Sequence, residues 1–120
     1  MIIARGTFTP GPPHVLRGSF TIREDGGALL FETSADFYFD GSPAPGFGLH
    51  IGIPTSAGDL ALRTNMERTR FLDLPGNVVE VRGQHAGAIP PAINFHAYDT
   101  LVLWCFAVPF ILGHGKLERL

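Results

Sequence analysis

The chain has 120 residues, which is the length of one domain. Hydrophobic residues make up 45 % of it and charged residues 17 %, and the formal net charge is −2 with neutral histidines. This balance favours a single hydrophobic core, and the scattered Lys and Arg exclude a basic nucleic-acid-binding surface and a polybasic membrane patch. The low charged fraction also predicts apolar surface that a partner or a homo-oligomer would cover.

Cysteine count and hydropathy narrow the class of protein further. Cys105 is the only cysteine, so an intramolecular disulfide and a multi-cysteine metal site are excluded. The longest apolar run, residues 101–112, is shorter than the ~20 residues of a membrane-spanning helix, which predicts no membrane insertion. Residues 1–6 lack the pattern of a signal peptide, so a cytoplasmic location is expected if Met1 is the native start.

Strand patterns dominate the first half of the chain. Apolar and polar residues alternate over residues 14–23, which predicts a strand with Leu16, Phe20 and Ile22 on one face. Further strands are expected over residues 2–8, 28–33, 47–53, 60–63, 70–74 and 78–82. In the strand over residues 47–53, the alternation places Phe47, Leu49, Ile51 and Ile53 on one face. One helical turn over residues 65–69 is the only helix expected.

The last two predicted strands are the most apolar. Residues 100–106 are hydrophobic on both faces, so this strand should lie centrally in a sheet and be covered on both sides. Residues 110–117 form its expected neighbour, and Pro109 lies at the join, where a missing N–H costs least. Trp104 and Cys105 are consecutive in the central strand and therefore point to opposite faces of the sheet.

Many short strands between Gly- and Pro-rich turns are typical of an all-β sandwich or barrel. The sequence therefore predicts one domain over residues 1–120, an antiparallel β-sandwich of eight to ten short strands with a jelly-roll-like arrangement.

A sequence signature lies in the C-terminal strands. Residues 98–105 form an apolar strand that ends in Trp104-Cys105. Apolar residues follow the cysteine at the third, fifth and seventh positions, and a glycine comes next: Val108, Phe110, Leu112 and Gly113. This segment resembles the signature strand of the DM-thirteen domain family.

Two upstream segments extend the resemblance, which covers residues 14–117 in all. Residues 14–20, with His14 and Gly18, look like the early strand of that family. Residues 29–49 look like its Asp-Phe loop and the extended strand after it, with Asp36-Phe37 followed by Gly41-Ser42-Pro43-Ala44-Pro45.

The resemblance implies an exported, extracytoplasmic protein that works with a redox or haem-binding partner protein. It also implies that Cys105 acts in redox chemistry or electron transfer, either as a bare thiol or as the ligand of a cofactor such as haem. Trp104 and Phe110 would then line an apolar haem pocket beside Cys105. The chain has no Cys-x-x-Cys-His motif, so a haem would be bound non-covalently.

The chemistry of the residues leaves two interpretations of Cys105 open. A reactive thiol needs access to solvent and a cation or helix N-terminus that stabilises its thiolate, and the sequence around Cys105 supplies neither. Free cysteine is also among the most buried residue types and packs as a small hydrophobe. The histidines show no spacing typical of a metal site: His14, His50, His85, His96 and His114.

Two functions therefore remain as hypotheses. In one, the protein is a redox or electron-transfer module centred on Cys105. In the other, it is a non-enzymatic binding module that displays Gly/Pro-rich loops such as residues 40–47 on a rigid scaffold, with Cys105 buried and inert.

Overall fold

The computed structural model describes residues 1–120 and contains thirteen β-strands, one α-helix and one 3-10 helix. The strands are β1 (Ile2–Thr7), β2 (Thr9–Pro10), β3 (Leu16–Arg17), β4 (Ser19–Asp25), β5 (Ala28–Thr33), β6 (Tyr38–Phe39), β7 (Pro45–His50), β8 (Leu72–Asp73), β9 (Val81–Arg82), β10 (Ala86–Ile89), β11 (Thr100–Cys105), β12 (Phe110–Lys116) and β13 (Glu118–Arg119). The helices are α1 (Leu60–Thr69) and the 3-10 helix (Phe95–Ala97).

The strands form three antiparallel sheets. The first five-stranded sheet has the order β10-β5-β4-β1-β13, and the second has the order β2-β12-β11-β7-β8. A small third sheet has the order β3-β6-β9. The predicted all-β, sandwich-like fold is confirmed, and the jelly-roll arrangement stays a prediction. Eight to ten strands were predicted, and the structure has thirteen. Seven of these have four or more residues and six have only two, so the predicted count lies between the number of long strands and the total.

The central position predicted for the Trp-Cys strand is confirmed. All six residues of β11 are buried, and β11 lies between β12 and β7 in the middle of its sheet. At the end of β11, Cys105 pairs with Phe110 on one side and with Pro45 on the other. A strand without a polar face needs a layer on each side, and the two layers here are the main core and α1.

Phenylalanine rings fill the space between the two large sheets. Phe47 of β7 stacks on Phe8 with a centroid separation of 5.8 Å and meets Phe31 of β5 at 4.8 Å. Phe31 in turn meets Phe20 of β4 at 5.7 Å. Aromatic rings combine a large buried area with favourable tilted contacts, so this cluster is the main attachment between the sheets.

The strand predicted over residues 60–63 and the single turn over residues 65–69 are wrong, because one ten-residue helix, α1, covers both. Asp59 caps its N-terminus by accepting a hydrogen bond from the Ala61 N–H at 3.0 Å. Only Leu62, Met66 and Thr69 are buried. This spacing of four and three residues is helical, but a stripe of two apolar residues and one threonine is too narrow to predict a helix.

Glycines end or divide two of the predicted strands. The strand predicted over residues 47–53 stops at His50, and Gly52 turns the chain at φ +84°, which leaves Ile51 and Ile53 exposed. The strand predicted over residues 14–23 is divided between β3 and β4 by Gly18, which has φ +106°. A Cβ at Gly18 would come within 2.8 Å of the Phe37 Cα, so both its conformation and its contacts require glycine.

Strands at the edges of the sheets also differ from the predicted ones. Residues 70–74 and 78–82 contain only the two-residue strands β8 and β9, and β10 lies in a segment with no predicted strand. No helix of the chain has both the length and the apolar character required to cross a membrane.

Candidate functional site

Cys105 lies at the end of β11, where the chain turns through residues 106–109 into β12. Its side chain belongs to the main core cluster, and the residue is only 2 % exposed. The thiol is therefore not a surface group, and a reagent can reach it only through space inside the protein.

Such a space exists beside the thiol. A cavity of about 230 Å³ is lined by His14, Gly41, Ser42, Pro43, Val78, Cys105, Val108, Phe110 and Leu112, and we call it the Cys105 cavity. Three of these residues, Val78, Val108 and Phe110, are 64 %, 60 % and 36 % exposed, so its border reaches the protein surface. The cavity lies where the small third sheet meets the end of the β11–β12 hairpin.

The surroundings of the sulfur favour its thiolate. Burial alone would raise the pKa of the Cys105 thiol. The backbone N–H groups of Val108, Ala44 and Ala107 and the hydroxyl of Ser42 act in the opposite direction, and the pKa is lowered from its ordinary value. Two of these N–H groups belong to the turn that follows Cys105, and successive turn amides are a common way to hold an anion.

Ser42 has a buried hydroxyl without a hydrogen-bond partner. The residue is 3 % exposed, and its Oγ forms no hydrogen bond with any protein group. Although this hydroxyl helps to lower the pKa of the Cys105 thiol, it does not reach hydrogen-bond geometry with the neutral sulfur. An unpaired buried hydroxyl costs about 1–3 kcal/mol, so its position on the cavity wall requires a reason other than stability.

His14 and Asp40 form a pair beside the same cavity. His14 Nδ1 lies 2.8 Å from Asp40 Oδ1, and the imidazole contacts the rings of Phe39 and Phe110 with centroid separations of 5.5 and 5.4 Å. The carboxylate orients the ring through Nδ1 and leaves Nε2 without a protein partner. His14 therefore places a group that can carry a proton on the wall of the Cys105 cavity.

The structure separates the three residues that the sequence proposed for a cofactor pocket. Cys105 and Phe110 both line the Cys105 cavity. Trp104 lies on the opposite face of β11, where it packs in a second cluster with Leu62 and Met66 of α1. The alternation of side chains along a strand requires this separation.

A haem does not fit the Cys105 cavity. Pockets for drug-sized ligands span roughly 300–1,000 Å³, and a volume of about 230 Å³ is below that range. The cavity is also closed on the Trp104 side by β11 itself, because Trp104 belongs to the opposite face. The residues present suit a small molecule that approaches a bare thiol.

Sequence reasoning assigned no chemistry to three residues of this site: His14, Asp40 and Ser42. All three lie in segments that carry the family resemblance, which was the one signal in the sequence that pointed to them. No group of three or more His, Cys, Asp and Glu side chains is placed to hold a metal ion.

Comparisons with known proteins give no further assignment. No family model, no curated protein and no solved structure matches the chain. The resemblance to the DM-thirteen family therefore stays a prediction that depends on the residues named above.

Proposed function

We propose that this chain is a redox module of DM-thirteen type in which the bare thiol of Cys105 is reversibly oxidised. The observation that supports the proposal is the position of the thiol, which lines a cavity and is surrounded by groups that favour the thiolate. The thiolate is the form of cysteine that reacts with oxidants, and its first product, a sulfenic acid, is reversible.

The same observation favours the bare thiol over a cofactor ligand. Backbone N–H groups and the Ser42 hydroxyl take the place of the cation or helix N-terminus that the sequence around Cys105 lacks. The cavity is of a size for a small oxidant and not for a haem.

The alternative function, a binding module with displayed loops, receives less support. Its loop of residues 40–47 is packed into the protein, and Pro43 is its only exposed residue. Gly41 and Ser42 of this loop line the Cys105 cavity instead of facing solvent. The loop therefore supports a site inside the protein better than a contact surface outside it.

Alkylation kinetics test the proposal, because every thiol signal from this chain comes from Cys105. The rate of reaction with a small uncharged alkylating reagent is measured against pH for native protein and for protein in urea. We expect the native profile to reach half its own plateau at a lower pH than the profile of the unfolded protein. The unfolded protein serves as the control and should show the ordinary value.

Oxidation is tested on the same samples. One equivalent of hydrogen peroxide should produce a sulfenic acid that a dimedone probe labels in native protein, that a small thiol removes, and that is absent from Cys105→Ser. Two results would contradict the redox function: alkylation of the thiol only after unfolding, or no dimedone labelling after peroxide treatment. The binding module would then be the remaining hypothesis.

A further inference from the structure

We propose that the Cys105 cavity accepts an apolar organic hydroperoxide and that His14 passes a proton to its leaving oxygen. This inference depends on the proposed redox function and names the substrate class of the same site.

The Ser42 hydroxyl is a second observation that points to a ligand. It is buried and has no protein partner, yet it belongs to the cavity wall. Buried polar groups are nearly always paired, so a missing partner indicates a ligand atom that the hydroxyl binds. A peroxide oxygen fits this position, because it can accept a hydrogen bond while its neighbour faces the sulfur.

The lining of the cavity favours an apolar substituent on that peroxide. Beyond the thiol, the serine and the histidine, the wall is built largely from Pro43, Val78, Val108, Phe110 and Leu112. The exposed side chains of Val78, Val108 and Phe110 continue this apolar surface to the outside. An alkyl or aryl group would bury apolar surface here, whereas hydrogen peroxide has none to bury.

The step itself balances without a metal or a second protein. The Cys105 thiol gives its proton to His14 Nε2, and the thiolate attacks the terminal oxygen of R–O–OH. The O–O bond breaks and an S–O bond forms, so the sulfur loses two electrons and the peroxide gains them. His14 then passes the proton to the leaving alkoxide, and the products are Cys105 sulfenic acid and the alcohol R–OH.

The Asp40 carboxylate suits His14 to this role. By accepting the Nδ1 hydrogen, it fixes the tautomer in which Nε2 can take up a proton and release it into the cavity. Asp40 does not line the cavity and is a positioning residue for His14.

Competition between two peroxides tests the substrate class. Reduced protein is mixed with cumene hydroperoxide or with hydrogen peroxide, and the loss of thiol is followed by stopped flow. We expect cumene hydroperoxide to react at least about tenfold faster, which corresponds to about 1.4 kcal/mol of preference. Val108→Gln should reduce this ratio, because it replaces an exposed apolar side chain at the cavity border. Ile53→Gln, at an equally exposed apolar residue outside the cavity, is the matched control and should keep the ratio.

The outcomes separate this inference from the redox function. Equal rates with both peroxides, or a Val108→Gln variant that slows both to the same degree, overturn the substrate class and leave the redox function intact. No reaction with either peroxide overturns the redox function itself.

The role of His14 is tested with leaving groups that differ in their need for a proton. His14→Gln should slow the reaction with cumene hydroperoxide, which releases a strongly basic alkoxide, more than the reaction with peracetic acid, which releases a carboxylate. Both oxidants are compared at one pH below the alkylation plateau, where the thiol proton is still present, and the ratio of their rates within each variant cancels any change in the thiol pKa. Equal slowing with both oxidants shows that His14 only supports the structure and overturns its role as proton donor.

Discussion

The buried hydroxyl of Ser42 gives a prediction in which stability and reactivity change in opposite directions. Ser42→Ala removes a polar group that has no partner, so the folded protein should be as stable as wild type or up to about 1–3 kcal/mol more stable. The same change removes a group that lowers the pKa of the Cys105 thiol, so that pKa should rise. Urea unfolding and the pH profile of alkylation measure the two effects.

Ser19→Ala is the matched control, because Ser19 is a partly buried serine outside the Cys105 cavity. It should leave the thiol pKa unchanged. A Ser42→Ala protein that loses more than about 1 kcal/mol, with an unchanged thiol pKa, would show that the hydroxyl serves the fold and not the thiol.

His50 predicts how stability changes in mild acid. Burial lowers its pKa, and the carboxylates of Asp59 and Asp99 oppose this only in part. Asn65 Nδ2 lies 3.0 Å from His50 Nδ1 and donates to it, which requires the unprotonated ring nitrogen. The pKa in the folded protein is thus below the ~6.5 of the unfolded chain, so this contribution to stability is present above pH ~6.5 and is lost as the pH falls through the folded pKa.

His50→Gln should therefore reduce the loss of stability between neutral pH and pH ~5, because glutamine has no proton to gain. The pKa of His114 is also lowered by burial, so His114→Gln should act in the same direction. Urea midpoints at several pH values measure the slope, and His96→Gln, at an exposed histidine, is the control. An unchanged slope in both variants would contradict the prediction.

At the scale of elements, α1 depends on the residue that begins it. Asp59→Ala removes the N-cap hydrogen bond to the Ala61 N–H and should cost about 1 kcal/mol, whereas Asp59→Asn should cost less because its amide oxygen can still accept. Urea unfolding measures both. Because α1 covers the Trp104 side of β11, the alkylation profile of Cys105 on the other face should not change. A shifted thiol pKa in Asp59→Ala would contradict this separation of the two faces.

The sequence predicted best the elements whose pattern of apolar residues is typical of only one kind of secondary structure. Five consecutive apolar residues in β11, Leu101 to Cys105, are typical of a strand covered on both faces, and the structure confirms its central place. Helix α1 was missed because most of its residues are polar and a stripe of three buried side chains carries little signal. Ile51 and Ile53 continue the alternation of β7 without belonging to it, since the local pattern carries no information on where a tertiary contact ends.

The candidate site could be predicted only in part, because a local sequence pattern does not show which distant segments meet. Cys105 and Phe110 are cross-strand neighbours on adjacent strands, a relation that the two apolar segments already indicated. Side chains alternate along a strand, so Trp104 cannot lie on the same face of β11 as Cys105. The hypothesis that both residues line one cofactor pocket therefore conflicted with the predicted strand. Ser42, Asp40 and His14 come from distant parts of the chain, and only the meeting of the small sheet with the β11–β12 hairpin brings them to the thiol.

On the scale of the whole molecule, the cavity depends on how the sheets are held together. Its walls come from four separate segments: His14 in the segment before β3, the loop between β6 and β7, Val78 in the segment before β9, and the β11–β12 hairpin. None of these segments forms the site alone, so the local groups that favour the thiolate exist only in the assembled fold. The main core that fixes their positions is centred on aromatic rings.

Phe47 is the ring on which this assembly depends most. It contacts Phe8, Phe31, Phe37 and Phe71, and its side chain is fully buried in the main core. Phe47→Ala should cost about 3–5 kcal/mol through lost burial and the remaining cavity, and Phe47→Leu should cost clearly less. Against a total stability of roughly 5–15 kcal/mol, the alanine variant loses a large share of its stability, and the pKa of its thiol should approach the ordinary value in urea as the unfolded fraction grows.

Urea unfolding at 25 °C measures these losses, with Phe106→Ala as the control. Phe106 is only partly buried, and its ring packs against the Arg70 guanidinium at 4.0 Å outside the main core, so its removal should cost much less than that of Phe47. If both alanine variants lost the same small amount, the two sheets would have to be joined by contacts other than the aromatic cluster. The walls of the Cys105 cavity would then be held by hydrogen bonds of the small sheet and the hairpin, and the thiol pKa would be insensitive to the state of the core.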